Sequence, residues 1–475
     1  MKSLYKIIVS VSIFFQFTTA KTQSYHVYNG SSYAGIFSLY TNPASLVNAP
    51  YKWDVNVLST QTTIINRAFD ISGLFSITDT LKYNFTNGTM PRAVHNIFDL
   101  NLLNARYKIN ETTALAFGLR GRLYSHIKTT NVNYADSVSN INSFLHINKD
   151  VGPVSGIAAS SGWLQFDLAL SKIIKKDEHQ IIAAGITLGY MKNLSGISSQ
   201  LTQFSFQETS LPGNQYYQTL TGANLSSYYS QNYDNYDSTK DGLSNIKAFV
   251  KDTKSSLNIS IGFEILLKKR MPYDDEAINS SNYDWKIGVS IMDIGKSIYQ
   301  PNGRAYANPV LKTGQTNYTL QNKFNSIHTL QGFTDSLITL FSRYDTVKNN
   351  FNINAPTRLT ISVDRNLGHH FFINASGNVN FYAVNPYTRA NTRELSVLTL
   401  TPRWEKKNIG IYLPVSYYAE KNIWVGCGFK FGPLIFGLHN VGWLLGKADQ
   451  LRGGGYIGIH IKPKDKVEKS RYDCY

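Results

Sequence analysis

The chain has 475 residues, of which 42% are hydrophobic, 13% aromatic and 16% charged, with a formal net charge of +16. Two cysteines, Cys427 and Cys474, allow one disulfide at most and exclude a disulfide scaffold. The lysines and arginines are spread over turns such as Lys175-Lys176 and Lys406-Lys407 and over the stretch from Lys462 to Arg471. Scattered in this way they read as solvated turns drawn to anionic lipid headgroups, and nucleic acid is not an expected partner.

In chain order, Lys2 and Lys6 precede an apolar run from Ile7 to Phe17, and Thr18-Thr19-Ala20 supplies small residues after it. This pattern predicts a secretory signal peptide over residues 1–20. Its removal would leave about 455 residues, and the loss of two lysines a charge of +14. No later stretch reaches 18 uninterrupted apolar residues, so helical membrane spans are not expected. A closed barrel is the other way to satisfy backbone groups inside lipid.

Residues 21–50 are rich in Tyr, Ser, Gly and Asn and contain Asn42-Pro43-Ala44. Strand signals begin at Trp53-Asp54-Val55-Asn56-Val57 and recur to the end of the chain with a period of two. Leu115, Phe117, Leu119 and Leu123 alternate with Ala116, Gly118, Arg120 and Arg122. Leu164, Phe166, Leu168 and Leu170 alternate with Gln165, Asp167, Ala169 and Ser171. Leu257, Ile259, Ile261, Phe263 and Ile265 alternate with Asn258, Ser260, Gly262 and Glu264. Successive side chains on a strand face opposite ways, so each segment has one apolar and one polar face. Each runs for roughly 9–11 residues, about the length of a tilted strand crossing a bilayer.

The reading is an all-β protein: a transmembrane antiparallel β-barrel of about 14 strands over residues 51–462, with a short N-terminal plug at 21–50 and a charged periplasmic tail at 463–475. Tight connections at Glu405–Asn408, Ala419–Asn422, Gly432-Pro433 and Lys175–Glu178 demand antiparallel neighbours. The polar stretches 193–250, 296–350 and 77–98 are expected as long loops. Trp53, Trp163, Trp285, Trp404, Trp424 and Trp443 fall near predicted strand ends and are expected in aromatic girdles at the headgroups. Arg120, Arg122, Asp167 and Glu264 are expected to face the lumen, where they line a pore, hold a plug or neutralise one another. On the lipid face near the midplane an Arg or Lys would cost about 2–4 kcal/mol.

Other motifs offer less. His369-His370 sits in an expected hairpin turn, and no Cys, Asp or Glu spacing completes a metal site, so none is expected. Ser125 and His126 are adjacent on a strand and point to opposite faces, so they form no nucleophile–base pair. No glycine-flanked nucleophile motif is present, and Gly453-Gly454-Gly455 follows a loop and not a strand, which removes a phosphate cradle. Neither an enzyme nor a cofactor is expected.

Several segments resemble an outer-membrane β-barrel family of Bacteroidota classed as a domain of unknown function. They are Val27-Tyr28-Asn29-Gly30 through Asn42-Pro43-Ala44-Ser45, Tyr51-Lys52-Trp53-Asp54, Met292-Asp293-Ile294-Gly295, Ala355-Pro356-Thr357-Arg358-Leu359, Asn366-Leu367-Gly368, and Gly426-Cys427-Gly428 to Gly432-Pro433-Leu434. Asn42-Pro43-Ala44 ahead of the first strand is also similar to the N-terminal hatch of FadL-type transporters and PorV-like proteins. The resemblance implies a Gram-negative outer-membrane location, with these three residues in a plug. It also implies a channel or binding protein for small hydrophobic molecules, with outer-membrane lipid and such a ligand as partners. The alternative is a non-transport accessory, PorV-like or PorP-like, of protein secretion, gliding or surface assembly, whose partners are secretion or surface-assembly proteins.

Overall fold

The computed structural model describes residues 28–72, 82–213, 215–235, 239–268, 282–325, 327, 329–382, 391–419, 422–442 and 452–463. The expected signal peptide, residues 21–27 of the plug segment, Trp443, Cys474 and residues 464–475 of the tail lie outside the described residues.

Fourteen antiparallel strands close into one barrel. They are β1 Trp53–Asn66, β2 Gly88–Asn110, β3 Thr113–Tyr134, β4 Val154–Lys176, β5 Gln180–Leu211, β6 Ser255–Leu267 and β7 Trp285–Tyr299. Then follow β8 Arg358–Gly368, β9 Phe371–Asn380, β10 Val397–Glu405, β11 Ile409–Tyr412 with Val415–Tyr418, β12 Asn422–Val425 with Cys427–Phe431, β13 Leu434–Leu438 and β14 Arg452–Ile461. Each strand pairs with its sequence neighbour, and β1 also pairs with β14, from Val55 opposite Ile461 to Ile65 opposite Arg452. Closure leaves the barrel no edge, as a wall in lipid requires. Pro414, which lacks a backbone N–H, marks the break in β11.

The period of two sorts the faces. Leu164, Phe166, Leu168 and Leu170 are exposed on the exterior, while Gln165, Asp167 and Ser171 are buried in the lumen. Leu257, Ile259, Ile261 and Phe263 likewise face out, and Asn258, Ser260 and Glu264 face in. Leu103, Leu115, Ile186, Leu188, Val289, Ile361, Leu398, Ile411 and Ile457 continue the exposed apolar belt around the barrel. A belt this continuous marks a surface made for lipid. A cysteine at Leu168 or Ile261 is expected to react readily with a lipid-soluble maleimide in membranes, and one at Asp167 or Glu264 to be protected from it. Equal reaction at all four would refute this facing.

Three expectations are corrected. The stretches 193–250 and 296–350 are largely built, and residues 88–98 belong to β2. A crossing takes roughly 9–11 residues, whereas β2–β5 run for 23, 22, 23 and 32, so about half or more of each stands beyond the bilayer. There apolar residues such as Ile127, Ile157, Phe204 and Phe206 no longer keep to one outward face, and the alternation that marked the strands fades. After Lys192 β5 leaves β6, and from Ile197 it pairs with the strand Gln215–Tyr229, which leads on to Tyr306–Leu311 and Phe341–Thr346. Helices α1 Ile141–Ile147, α3 Asn317–Phe324 and α4 Leu330–Ile338 complete this extension, and a further helix, α2 Gly242–Val250, packs on the turn Gln231–Asn235 outside its core. It has a core of its own, including Leu145, Leu220, Tyr306, Leu320 and Phe341.

The tryptophans divide. Trp53 and Trp285 are exposed and Trp404 is half-buried, but Trp163 and Trp424 are 1% and 2% exposed, inside the lumen. The reason is parity. Trp163 shares the face of Gln165 and Asp167, and Trp424 lies between outward Ile423 and Val425.

The short connections turn as expected. His369 and His370 carry φ of 50° and 68° in the β8–β9 turn. In the β4–β5 turn, backbone N–H groups of His179 and Gln180 bond Asp177 and hold its carboxyl well below the usual carboxylate range.

Candidate functional site: the filled lumen

Residues 28–50 lie inside the barrel at the end carrying the short turns. Two short 3-10 helices, Gly35–Tyr40 and Pro43–Leu46, form the segment. Asn42 has extended backbone and its Oδ1 accepts the Ala44 N–H at 3.0 Å, capping the second helix, with Pro43 at the first helical position. Proline suits that place because its φ is preset and no donor is missed there. The Asn42 Nδ2 also donates to the Phe263 carbonyl on β6 at 2.9 Å, so one side chain shapes the turn and ties it to the wall.

The wall makes room for it. Gly185 on β5 stands opposite Gly262 on β6. A Cβ at Gly185 would come within 2.4 Å of the Pro43 carbonyl carbon, and one at Gly262 within 2.0 Å of Asn42 Oδ1. These two glycines were not singled out from the sequence. The signal that could have found them is small residues at inward positions of strands whose other inward residues are larger and polar.

Charged groups on the wall hold the segment largely by its backbone. Asp54 accepts the Ile36 N–H at 2.6 Å and pairs with Arg106 at 2.5 Å. Arg106 donates onward to the carbonyls of Leu46 at 3.1 Å and Tyr51 at 2.7 Å. Arg403 pairs with Asp364 at 2.5 Å and, with Lys286, donates to the Gly30 carbonyl at 3.2 and 2.9 Å. Glu405 accepts Ser31 Oγ at 2.5 Å and Lys430 Nζ at 3.1 Å. Glu264 accepts Asn48 Nδ2 at 2.7 Å and is also bonded by Ser45 Oγ. Ser290 Oγ donates to the Thr41 carbonyl at 2.6 Å, and Ser171 Oγ to that of Ala44 at 2.8 Å. Tyr28, Ile36, Phe37, Leu39, Tyr40 and Leu46 pack the interior of the segment together with wall residues Tyr412 and Tyr456. A crevice of about 20 Å³, room for about one water, remains between the segment and β6–β8.

Above the segment lies a charged layer centred on Asp293, which sequence reasoning met only inside a motif. In β7, Met292 and Asp293 together oppose Ser260 of β6, a bulge that turns Asp293 into the lumen with φ of 57°. Its backbone is fixed on both sides: the N–H donates to Ser260 Oγ at 3.0 Å and the carbonyl accepts Thr357 Oγ1 at 2.9 Å. Arg122 grips the carboxylate with two bonds of 2.7 and 3.0 Å, Arg358 adds one of 2.6 Å and Arg120 a contact at 3.5 Å. Arg120 further pairs with Asp167 at 3.0 Å and Arg122 with Asp99 at 3.1 Å. Arg358 also donates to the Tyr40 carbonyl at 3.0 Å, and Arg120 lies over the Tyr40 ring at 4.5 Å, joining this layer to the segment below. Of the four inward charges expected from the sequence, Glu264 thus meets the N-terminal segment directly. Arg120 meets it through the Tyr40 ring. Arg122 and Asp167 neutralise neighbours.

Next comes an apolar, aromatic layer. Tyr124 stacks on Trp163 at 5.5 Å, and Tyr418 packs on Trp424 at 4.4 Å. Ile65, Ile97, Met191 and Leu395 complete it. Leu395 and Glu394 belong to a strand-free segment, 391–396, that enters the lumen; Glu394 accepts Tyr124 Oη at 2.6 Å and Arg393 bonds His95 at 2.9 Å. Ser125 and His126 point apart, Ser125 to Ser160 at 2.8 Å and His126 to His95 at 2.7 Å.

The model of the family of unknown function DUF5723 matches residues 43–439. Among curated proteins none matches the chain. Solved structures that it resembles include a Pseudomonas aeruginosa FadL homologue, at 12% identity and a TM-score of 0.39, covering 94% of this chain and 96% of that one. The Ralstonia pickettii toluene transporter TbuX aligns at 10% identity and a TM-score of 0.37, over 90% and 94% of the two chains. The Pseudomonas putida toluene transporter TodX aligns at 8% identity and a TM-score of 0.33, over 94% and 98%.

Proposed function

We propose that this chain, which belongs to the family of unknown function DUF5723, is an outer-membrane barrel that admits or binds small hydrophobic molecules, with residues 21–50 as its plug. The observation that carries this reading is the apolar layer inside the lumen. A channel for polar solutes is lined with polar side chains. Here Tyr124, Trp163, Met191, Tyr418 and Trp424 face the barrel axis instead. Apolar walls with a few polar groups at one end suit a hydrophobic or amphipathic ligand, and the Asp293 layer supplies that end. The proposed role is passage or binding and involves no bond-making chemistry.

Expressed in the outer membrane of a Gram-negative host, the protein is expected to raise entry of a lipophilic dye into cells several-fold while polar sugars of similar size stay out. Dye entry no faster than in the parent host, together with unchanged Trp fluorescence of the purified protein on dye addition, would overturn the reading.

The extension favours a second reading, an accessory of secretion or surface assembly. It stands beyond the bilayer on its own apolar core and exposes Tyr318 and Tyr344, residues suited to protein contacts. Recovery of the same secreted or surface protein with the full chain, but not with a chain lacking α3 and α4, would support it.

A further inference from the structure

Helix α2, Gly242–Val250, lies in the excursion between the strand Gln215–Tyr229 and β6. Asp241 caps it, accepting the Ser244 N–H at 2.9 Å, and the Lys251 N–H closes its last turn on the Lys247 carbonyl at 3.0 Å. One face is docked. Phe249 meets the Tyr233 ring at 5.4 Å, and the carbonyls of Phe249 and Ala248 accept Asn232 and Asn235 at 2.8 and 3.2 Å. A second face carries exposed Leu243, Ile246 and Lys247 with half-buried Val250, spaced by three and four residues so that they share one stripe. Leu243 is 63% and Ile246 62% exposed. Four residues after the helix, β6 begins at Ser255, and its outward Leu257, 69% exposed, starts that strand's share of the lipid-facing belt. Lys251 and Lys254 stand in this short junction with Asp252, which leaves it net basic, and Lys247 on the helix adds a further positive charge.

We propose that α2 lies in the membrane–water interface beside β6, with Leu243 and Ile246 in the acyl boundary and Lys247, Lys251 and Lys254 against lipid headgroup phosphates. Continuity with the belt fixes the occupant as lipid. The junction of four residues spans at most about 14 Å, too short to lift the helix far from the bilayer surface. An exposed apolar stripe flanked by lysines is the composition that binds anionic interfaces. The inference rests on the exterior of β6 facing lipid and is independent of what passes through the lumen.

The test uses the full chain with Cys427→Ser and Cys474→Ser, carrying one bimane-labelled cysteine at Leu243, Ile246, Asn245 or Leu257, in vesicles of brominated phosphatidylcholine with or without phosphatidylglycerol. Quenching at Leu243 and Ile246 is expected to be several-fold that at Asn245 and to approach that at Leu257. Phosphatidylglycerol should increase it, and K247Q/K251Q/K254Q should abolish the increase. Quenching at Leu243 and Ile246 no greater than at Asn245, with Leu257 strongly quenched, overturns the proposal while leaving the barrel in lipid. Absence of quenching at Leu257 as well overturns the lipid-facing assignment of β6, and the proposal with it. Disulfide-linked dimers through unlabelled Leu243→Cys in the same vesicles would replace lipid by a second copy of the chain.

Discussion

Replacing Asp293 by alanine is expected to destabilise the folded barrel by about 3–5 kcal/mol, the usual cost of removing one partner from a buried ion pair. The side chain takes bonds from Arg122 and Arg358 and lies 3.5 Å from Arg120, all buried. Its loss would leave three guanidiniums with Asp99, Asp167 and Glu394 alone. Asp293→Asn keeps the shape and removes the charge, and should be nearly as damaging. Adding Arg358→Gln to it removes the guanidinium whose remaining carboxylate, Glu394, lies 3.8 Å away, and should recover part of the loss. The measurement is the urea midpoint of the shift between heat-modifiable and unfolded bands on gels. An Asp293→Ala midpoint equal to that of the parent would remove Asp293 from the centre of the network.

Deletion of residues 24–48 is expected to leave the barrel folded and to raise its conductance in planar bilayers or its uptake of hydrophobic dyes. The ladder from β1 through β14 contains none of those residues. The groups they uncover, among them Asp54, Glu264, Asp364, Arg403 and Glu405, would be solvated by water in the opened lumen, and two ion pairs, Arg106–Asp54 and Arg403–Asp364, persist without the segment. Stability should fall, since burial of Ile36, Phe37, Leu39 and Leu46 is lost at about 1.5–3 kcal/mol each before ordering entropy is counted. Asn42→Ala should raise conductance in the same direction and less, because Ser45, Asn48 and the Arg106 contacts remain. A deletion variant that folds and conducts no more than the parent would dismiss the plug and leave the accessory reading ahead.

The barrel was legible because lipid outside and polar groups inside impose opposite demands on alternate residues. Leu164 to Ser171 obey them at every position but Ala169. Where water lies on both sides, as along the outer halves of β2–β5, that contrast is gone and strands read as loops. Trp163 and Trp424 depart from the girdle because parity outweighs nearness to a strand end: it places Trp163 beside Gln165. The role of Glu264 could be narrowed only to a facing, since its partners Ser45 and Asn48 are more than 200 residues away in sequence. Asp293 escaped for a different reason. Its inward turn depends on a bulge with positive φ at a residue other than glycine, and nothing in a local pattern announces that.

The N-terminal segment has a consequence for the order in which the molecule is made. It is made before the wall, yet several of its anchors lie on late strands: Ser31 to Glu405 is a separation of 374 residues, Asn48 to Glu264 one of 216. It cannot dock until those strands exist. It is also covalently joined to β1, the strand that β14 must find to shut the wall. Seating the segment and sealing the seam are therefore late events set by the most distant contacts in the chain, the class that slows folding most. Through most of its assembly the nascent protein carries Tyr28, Ile36, Phe37 and Leu39 unburied, a stretch of sticky chain that a holdase chaperone would have reason to shield.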